Sequence, residues 1–326
     1  MRIAKMITAV VALIVISVVG FLYIAPASAF HLLVSAMRAR AELDRREILL
    51  PDGLRYVYLE GGRGTPLMLL HGFGANKDNF TPIAGRLTKR YRVIIPDHIG
   101  FGESSHPPDA DYSPPAQARR LRRFAQALGL TDLHLGGNSM GGHIAMTYAA
   151  LFPDQVKSLW LLDPSGLWGA PKSDVRRAFE TTGRNPLLIK TPEDYASLLQ
   201  WVASKHPFVP GPIINVLARE RIANNALEER ILTSVVADSV AARVTGLTVP
   251  TLIVWGGEDR IVHVDSAKIL NRLMPRSRVI IMPKTGHLPM LENPRQSALD
   301  YLTFRTSLER RGDVDDEGKG TAGGNP

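Results

Sequence analysis

The sequence contains no cysteine, which excludes a disulfide framework, a thiol nucleophile and cysteine-ligated zinc. It also lacks the histidine spacing of common zinc enzymes, the spacing of a nucleotide-binding glycine loop and the aromatic pattern of RNA-binding domains. We therefore expect no metal, no other cofactor and no nucleic-acid partner. The net charge of +8 favours an anionic partner only weakly, because solubility alone would explain it as well.

The bulk composition is that of a folded globular protein. The chain has 326 residues, 45% of them hydrophobic and 21% charged, enough for one large α/β domain with an insertion or for two modest domains. The segment 308–326 is charged or glycine-rich, and we expect it to be disordered. A basic cluster on one predicted helix is interpreted as a solvated face in preference to a lipid-headgroup contact: Arg119, Arg120, Arg122 and Arg123.

The N-terminal segment 1–29 contains an uncharged apolar run from Ile7 to Ala25. At about 1.5 Å per helical residue this run reaches about 28 Å, close to the thickness of a bilayer core. We therefore expect a single uncleaved transmembrane anchor, whose orientation stays open because basic residues flank both ends. The alternative is an exported chain cleaved near Ala29, where the sequence Ala-Ser-Ala has the form of a signal-peptide cleavage site. Residues 30–45 are expected to form a connecting helix.

Short apolar runs alternate with helical patterns from residue 46 onward. Such alternation predicts an α/β fold with a mostly parallel sheet and helices on both faces. Residues 167–245 show helical patterning without a core strand, and we interpret them as a helical cap inserted after the sixth strand. The core then comprises 46–166 and 246–307. The predicted strands are 46–50, 54–60, 66–70, 91–95, 133–135, 159–162, 251–255 and 278–282.

The segment Gly136–Gly142, of sequence GGNSMGG, lies between a predicted strand and a predicted helix. A strand, a glycine-flanked turn and a helix with Ser139 at the apex match a nucleophile elbow. The glycines have a physical reason, because side chains two residues from the serine would collide with the backbone or with a neighbouring strand. On the motif alone, a glycine-rich turn with an incidental serine remains open.

A base and an acid for Ser139 are predicted from loops that follow later strands. A serine hydroxyl is a poor nucleophile until a base takes its proton, and a carboxylate fixes the tautomer of that base. Such groups gather beyond the carboxyl ends of parallel strands. Asp259 follows the strand 251–255 and His287 follows the strand 278–282, which gives the chain order expected for a triad of this architecture.

Other acids and histidines provide alternatives. Glu258 adjoins Asp259 but is expected to point elsewhere, and Asp163 follows another strand and is a candidate for a displaced acid. His71 is expected to be structural. His143 is expected to project along its helix and not toward the serine hydroxyl.

Two backbone N–H groups are expected to receive the negative charge that develops on a substrate oxygen. One is the N–H of Met140, at a helix N-terminus where donors are unpaired and the helix dipole favours an anion. The other is predicted in the turn His71–Gly74, where Phe73 is the candidate. Ordinary core packing is the alternative for Phe73, although its side chain can pack while its N–H serves the site.

These features resemble the α/β-hydrolase fold superfamily over about residues 46–307. The turn His71–Gly74, the elbow and the two later loops are similar to those of membrane-associated lipases and monoacylglycerol-lipase-like hydrolases. They also resemble meta-cleavage-product hydrolases, which cut carbon–carbon bonds. The chain departs from the family pattern at His98, which follows Asp97 in a glycine-rich turn. The resemblance implies a lid at the insertion and these roles: Ser139 nucleophile, Asp259 acid, His287 base, Phe73 and Met140 oxyanion hole.

The predicted function is the hydrolysis of lipid-like carboxylic esters through an acyl-enzyme. The N-terminal segment would bring the site to lipid, and apolar clusters within 167–245 suit an acyl-binding lid. The first alternative is carbon–carbon bond hydrolysis of meta-cleavage products, for which the N-terminal segment has no evident use. A remote alternative is a non-catalytic membrane-anchored binding protein, although such proteins usually lose a triad member and none is missing here. Dehalogenases and epoxide hydrolases of this fold need an aspartate at the elbow, where this chain has Ser139.

Overall fold

The computed structural model describes residues 2–320, apart from the side chains of several residues in the first helix and of those after 310. The chain begins with two helices, α1 (Arg2–Ile24) and α2 (Pro26–Arg40), the second starting with a proline at its first position. Within the part of the chain that is described, no helix combines the length and the apolarity needed to cross a membrane. The transmembrane helix expected within 1–29 is therefore not supported by the described residues.

Eight strands form one sheet. They are β1 (Asp44–Leu49), β2 (Arg55–Gly61), β3 (Thr65–Leu70), β4 (Tyr91–Pro96), β5 (Leu133–Asn138), β6 (Val156–Leu162), β7 (Thr251–Gly256) and β8 (Ser277–Met282). Their order across the sheet is β1-β2-β4-β3-β5-β6-β7-β8. β2 pairs antiparallel with β1 and with β4, and every pair from β4 to β8 is parallel. The mostly parallel sheet predicted from the sequence is confirmed.

Strands β1 and β2 form an antiparallel hairpin, and the two strands differ in burial. β2 is buried along most of its length because it lies inside the sheet, between β1 and β4. β1 is the edge strand, and nearly all of it is exposed. Charged side chains such as Arg45 and Glu47 protect a free edge of this kind from pairing with another chain.

The remaining helices connect and cover the strands. They are α3 (Thr81–Leu87), α4 (Pro114–Ala127), α5 (Met140–Leu151), α6 (Asp174–Thr182), α7 (Pro192–Val202), α8 (Gly211–Ala223), α9 (Asn225–Ala237), α10 (Ala241–Val244), α11 (Ser266–Leu273), α12 (Pro289–Glu292) and α13 (Pro294–Gly320). Helices α6 to α10 lie between β6 and β7 and form the cap. Helix α13 continues to Gly320, and the disorder expected for 308–326 stays a prediction. Residues 321–326 lie outside the described part.

Two apolar layers cover the two faces of the sheet. On one face α4, α5 and α11 contribute buried side chains that include Phe124, Ile144 and Leu270. On the other face α3 and α13 contribute Leu87 and Tyr301. Each fully buried side chain of this size stabilises the fold by about 1.5–3 kcal/mol relative to exposure, so the layers hold the strand ends in fixed relative positions.

The basic cluster of α4 is only partly solvated, which corrects the prediction of a solvated face. Arg119 and Arg123 are exposed, and Arg123 pairs with Asp52 at 2.8 Å. Arg120 is buried and donates to the carbonyl oxygen of Asp111 at 2.6 Å. The cluster therefore contributes to packing as well as to surface charge.

The carboxyl ends of the parallel strands share one edge of the sheet, so the loops that follow them converge. The cap is fastened to these loops by backbone hydrogen bonds. The N–H of Val240 donates to Gly166 O at 3.0 Å, and that of Val175 donates to Arg260 O at 3.0 Å. Any site at this edge is therefore enclosed between strand-end loops and cap helices.

Candidate active site

Ser139 occupies a strained turn between β5 and α5. Its φ of 54° and ψ of −119° lie in a region that non-glycine residues rarely adopt. A β-carbon added at Gly141 would lie 2.1 Å from Leu70 O on the adjacent strand, and one at Gly137 would lie 2.4 Å from the carbonyl carbon of Gly141. These contacts give the physical reason for the glycines, because the turn leaves no room for side chains at either position.

The structure brings His287 and Asp259 into direct contact. His287 Nδ1 lies 2.8 Å from Asp259 Oδ2, and the Asp259 side chain has no exposed surface. The other carboxylate oxygen accepts the N–H groups of Ile261 at 2.8 Å and Val262 at 3.1 Å. Because a carboxylate only accepts hydrogen bonds, Nδ1 carries the hydrogen and Nε2 keeps its lone pair. The arrangement fixes the tautomer that a general base requires.

Ser139 and His287 line one small cavity of about 170 Å³. Ser139 is half-buried and remains accessible, whereas His287 is buried. The structure therefore brings His287 against Asp259 and places it in the same cavity as Ser139, and each of the three residues lies in a loop or turn that follows a different parallel strand.

Asn138 ties the elbow to the histidine loop, a role that the sequence analysis missed. Its Nδ2 donates to Leu162 O and to His287 O, both at 3.0 Å. The side chain thus crosses from β5 to β6 and on to the loop after β8. A buried amide beside the serine was the signal available, but its partners lie far away in the sequence.

The turn His71–Gly74 lies directly beside the nucleophile. A β-carbon at Gly72 would lie 3.1 Å from Asn138 Oδ1 and 3.3 Å from Ser139 Cβ. Met140 is the first residue of α5, so its N–H has no acceptor within the helix. The two candidate oxyanion residues, Phe73 and Met140, both line a second, larger cavity that Ser139 also reaches.

His71 and His98 form a buried pair behind this turn. His71 Nδ1 donates to Gly72 O at 2.8 Å, and Nε2 accepts the backbone N–H of His98 at 3.0 Å. Burial lowers the pKa of His71 to about 4 and lowers that of His98 well below its ordinary value. Both rings are therefore neutral near pH 7. His71 is structural, and His98, for which the sequence suggested no role, packs its ring 4.6 Å from that of His71.

The alternatives Glu258 and His143 lie outside the acid–base arrangement. Glu258 is exposed and accepts a hydrogen bond from the hydroxyl of Ser204. His143 Nε2 lies 2.7 Å from Asp238 Oδ2, and burial lowers the pKa of His143. Asp163, the alternative acid, is in contrast buried close to Asp259.

The larger cavity has a volume of about 460 Å³. Its wall is mostly apolar and combines the core with the cap, including Leu167, Trp168, Phe179, Leu187, Leu232 and Val235. A volume of this size is within the usual range for small-molecule sites. Ser139 therefore stands between a large apolar cavity and a small one that contains His287.

Comparison with known proteins agrees with this geometry. The family model for the alpha/beta hydrolase fold matches residues 65–294, which is more than half of the chain. The chain belongs to the α/β-hydrolase family.

Three relatives show the type of hydrolase. Lipase 3 of Moraxella sp. (strain TA144) is 43% identical over 84% of this chain and 88% of its own length. Human monoacylglycerol lipase ABHD6 is 30% identical over 78% of this chain and 80% of its own. The crystal structure of a membrane phospholipase A, described as a bacterial virulence factor, superposes with a TM-score of 0.84 at 37% identity, covering 94% of this chain and 99% of the other. This α/β-hydrolase is an enzyme of the lipase or esterase type.

The cap of this α/β-hydrolase contacts the turn His71–Gly74 through Arg221 on α8. Its guanidinium carbon lies 5.4 Å from the centroid of the Phe73 ring, and a β-carbon at Gly74 would lie 2.2 Å from that carbon. Nε donates to Glu228 at 2.8 Å, and an Nη atom donates to Leu187 O at 2.8 Å. Sequence analysis missed this contact, because nothing near Arg221 in the chain points to the turn it packs against.

Asp163, Asp259 and His287 each place one atom within 4.8 Å of the others, a spacing that by distance alone would also suit a metal ion. We interpret the group as a hydrogen-bonded acid–base array. A metal at this point would have to displace the hydrogen bond between His287 and Asp259. The expectation that the enzyme needs no cofactor stays a prediction.

Proposed function

We propose that this α/β-hydrolase cleaves carboxylic esters of lipids through a triad of Ser139, His287 and Asp259 and an acyl-enzyme intermediate. The observation that carries the proposal is the 2.8 Å contact between the imidazole and the buried carboxylate. Ser139, at the apex of the elbow, also lines a mostly apolar cavity of about 460 Å³. The named lipase relatives support ester hydrolysis as the chemistry.

In the proposed mechanism His287 Nε2 takes the proton of the Ser139 hydroxyl while the oxygen attacks the ester carbonyl carbon. Asp259 stabilises the imidazolium that forms. The carbonyl oxygen becomes an oxyanion and accepts the N–H groups of Met140 and Phe73. Collapse of this intermediate breaks the bond to the alcohol oxygen, which receives the proton from His287. A water molecule, deprotonated by His287, then attacks the acyl-enzyme and releases the carboxylic acid.

The two cavities suggest how the substrate lies. His287 must give its proton to the departing alcohol, and it lines the small cavity of about 170 Å³. Of the candidate oxyanion residues, Met140 lines the large apolar cavity, and Phe73 lies between the two cavities and lines both. We therefore propose that the acyl chain occupies the large cavity and the alcohol occupies the small one, so that the acyl group is long and the alcohol compact.

We also propose that the enzyme associates with a membrane surface through α2. Leu32 and Leu33 are 65% and 58% exposed, and Arg40 is exposed in the last turn of α2, whereas Arg38 pairs with Asp78. Exposed apolar residues with nearby cations favour the surface of an anionic bilayer. Sedimentation with anionic vesicles should fall when Leu32 and Leu33 are both changed to Asp. Unchanged sedimentation of this variant would contradict the role of α2.

The test of the activity is an ester panel with a matched serine variant. We expect hydrolysis of p-nitrophenyl esters and monoacylglycerols, with a preference for longer acyl chains, and loss of turnover in Ser139→Ala. A meta-cleavage dienoate serves as the comparison substrate, because the elbow alone fits carbon–carbon hydrolysis equally well. Activity confined to the dienoate, or full ester turnover by Ser139→Ala, would refute the proposal.

A further inference from the structure

Asp163 directly follows β6 and lies beside the proposed catalytic acid. Its side chain is fully buried, and its φ of 45° is uncommon for a residue other than glycine. Two hydrogen bonds hold it in place: its N–H donates to Val254 O at 3.0 Å, and Oδ1 accepts the N–H of Gly256 at 2.8 Å. Asp163 is therefore fixed to the end of β7, the strand that leads into the Asp259 loop.

The two carboxyl groups have unequal sets of donors. Asp259 accepts hydrogen bonds from His287, Ile261 and Val262. Asp163 accepts the N–H of Gly256, and its Oδ2 has no donor among the residues that the structure describes. Donors stabilise an ionised carboxylate, so the negative charge belongs on Asp259.

A proton on Asp163 resolves the close approach of the two acids. The carboxyl groups of Asp163 and Asp259 have oxygens within 4.8 Å of each other. Two buried carboxylates this close repel each other, so one of them keeps its proton. Burial, together with the negative charge of Asp259, raises the pKa of Asp163 well above its ordinary value. Glu292 adds a smaller repulsion in the same direction.

The geometry points to Asp163 as a positioning residue: it is a neutral acid that shares its proton with Asp259 and becomes the carboxylate partner of His287 when Asp259 is neutralised. This inference rests on the triad proposed above. It goes beyond that triad because a fourth side chain sets the charge of the array. In the native enzyme the Asp163 hydroxyl donates to Asp259. Once Asp259 carries no charge, Asp163 loses the main repulsion that keeps it protonated and can ionise within reach of the imidazole.

The test compares Asp163→Asn, Asp259→Asn and the double variant, with Glu258→Gln as the matched control in the same loop. An asparagine at 163 can accept from Gly256 and donate to Asp259, so this variant should fold. We expect it to lower kcat/KM by less than about tenfold, the equivalent of one neutral hydrogen bond. Loss as large as that of Asp259→Asn would show that Asp163 is charged in the native enzyme and would overturn the inference.

The decisive measurement is the pH profile of Asp259→Asn against the double variant. Removal of a triad acid typically costs about 10⁴-fold in kcat. We expect Asp259→Asn to recover activity as the pH rises and Asp163 ionises, and the double variant to stay at least about tenfold lower at the upper end. Identical profiles would mean that Asp163 does nothing beyond fixing β7, which refutes the proposal.

A spectroscopic readout separates this inference from the proposed function. The proton on His287 Nδ1, between the ring and a carboxylate, should give a downfield NMR signal in the native enzyme and in Asp259→Asn, but not in the double variant. Loss of the signal in Asp259→Asn would refute the role of Asp163 even if the triad is correct. Failure of the triad itself would appear separately, as undiminished activity of Ser139→Ala.

Discussion

Gly141 offers the sharpest test of the elbow, because its neighbours leave no space for a methyl group. A β-carbon there would lie 2.1 Å from Leu70 O and 2.5 Å from His71 O. Both atoms belong to the backbone at the end of β3 and cannot rotate away. Gly141→Ala must therefore push the start of α5 away from β3 by roughly 1 Å to reach a tolerable contact.

The expected cost can be divided between stability and catalysis. Overpacking of this kind typically lowers the free energy of unfolding by about 1–3 kcal/mol. A displacement of about 1 Å in a catalytic group can cost about 10²-fold in rate, and this shift moves the Met140 N–H relative to the turn that contains Phe73. We therefore expect kcat for a p-nitrophenyl ester to fall about 10²-fold, with a smaller change in KM.

The assay combines steady-state kinetics with urea unfolding followed by circular dichroism. Gly211→Ala is the matched control, because a β-carbon at Gly211 would meet no atom within 4 Å. The control should change the unfolding free energy by no more than about 0.5 kcal/mol. If Gly141→Ala kept native kcat and native stability, the reasoning about the elbow glycines would be wrong.

Three further predictions concern the surroundings of the site. Burial holds the pKa of His71 at about 4. The neutral ring should therefore contribute about 3 kcal/mol to the free energy of unfolding; this contribution is complete above pH 6.5 and is lost as the pH falls to 4. Urea unfolding across this range should depend less on pH in His71→Asn than in the control His206→Asn, which alters an exposed ring. Asn138→Ala leaves the carbonyl oxygens of Leu162 and His287 without this donor, so the free energy of unfolding in urea should fall by about 1–3 kcal/mol, and kcat should fall as well. An unfolding midpoint equal to that of the native protein would show that these two hydrogen bonds do not stabilise the elbow. Val235→Phe places a larger side chain in the large cavity, so kcat/KM for octanoyl esters should fall about tenfold relative to acetyl esters. An unchanged ratio would show that the acyl chain does not bind in that cavity.

The parts that were predictable from the sequence have local signals. The elbow combines closely spaced glycines with a serine between a strand and a helix, and the lack of space for a β-carbon at Gly137 and Gly141 accounts for those glycines. Asp259 and His287 were predictable because parallel strands end at one edge of the sheet, so the residues that follow them meet. Central strands such as β3 and β7 stand out as apolar runs, as expected of strands covered on both faces.

The parts that were missed depend on contacts between distant segments. Asn138 bonds to the carbonyl oxygen of His287, and Arg221 packs on Phe73, yet neither pairing leaves a pattern near either residue. The burial of β2 depends on its place between β1 and β4, which a hairpin pattern does not reveal. For the N-terminal segment, an apolar run was expected to span a membrane, and no helix in the described residues meets that condition.

The hydrogen bonds of the cap also restrict how a substrate reaches Ser139. The end of α7 is joined to the histidine loop, because the N–H of His287 donates to Val202 O at 2.8 Å and that of Ser204 donates to Glu292 at 2.8 Å. Lifting α7 would break the first bond and shift His287, the proposed base. The α6 side is tied to the Asp259 loop, because the N–H of Val175 donates to Arg260 O at 3.0 Å, and there Trp168 and Phe179 are 40% and 45% exposed while lining the large cavity. Rotation of these two exposed side chains would thus admit an acyl chain while both backbone links keep His287 and Asp259 in place.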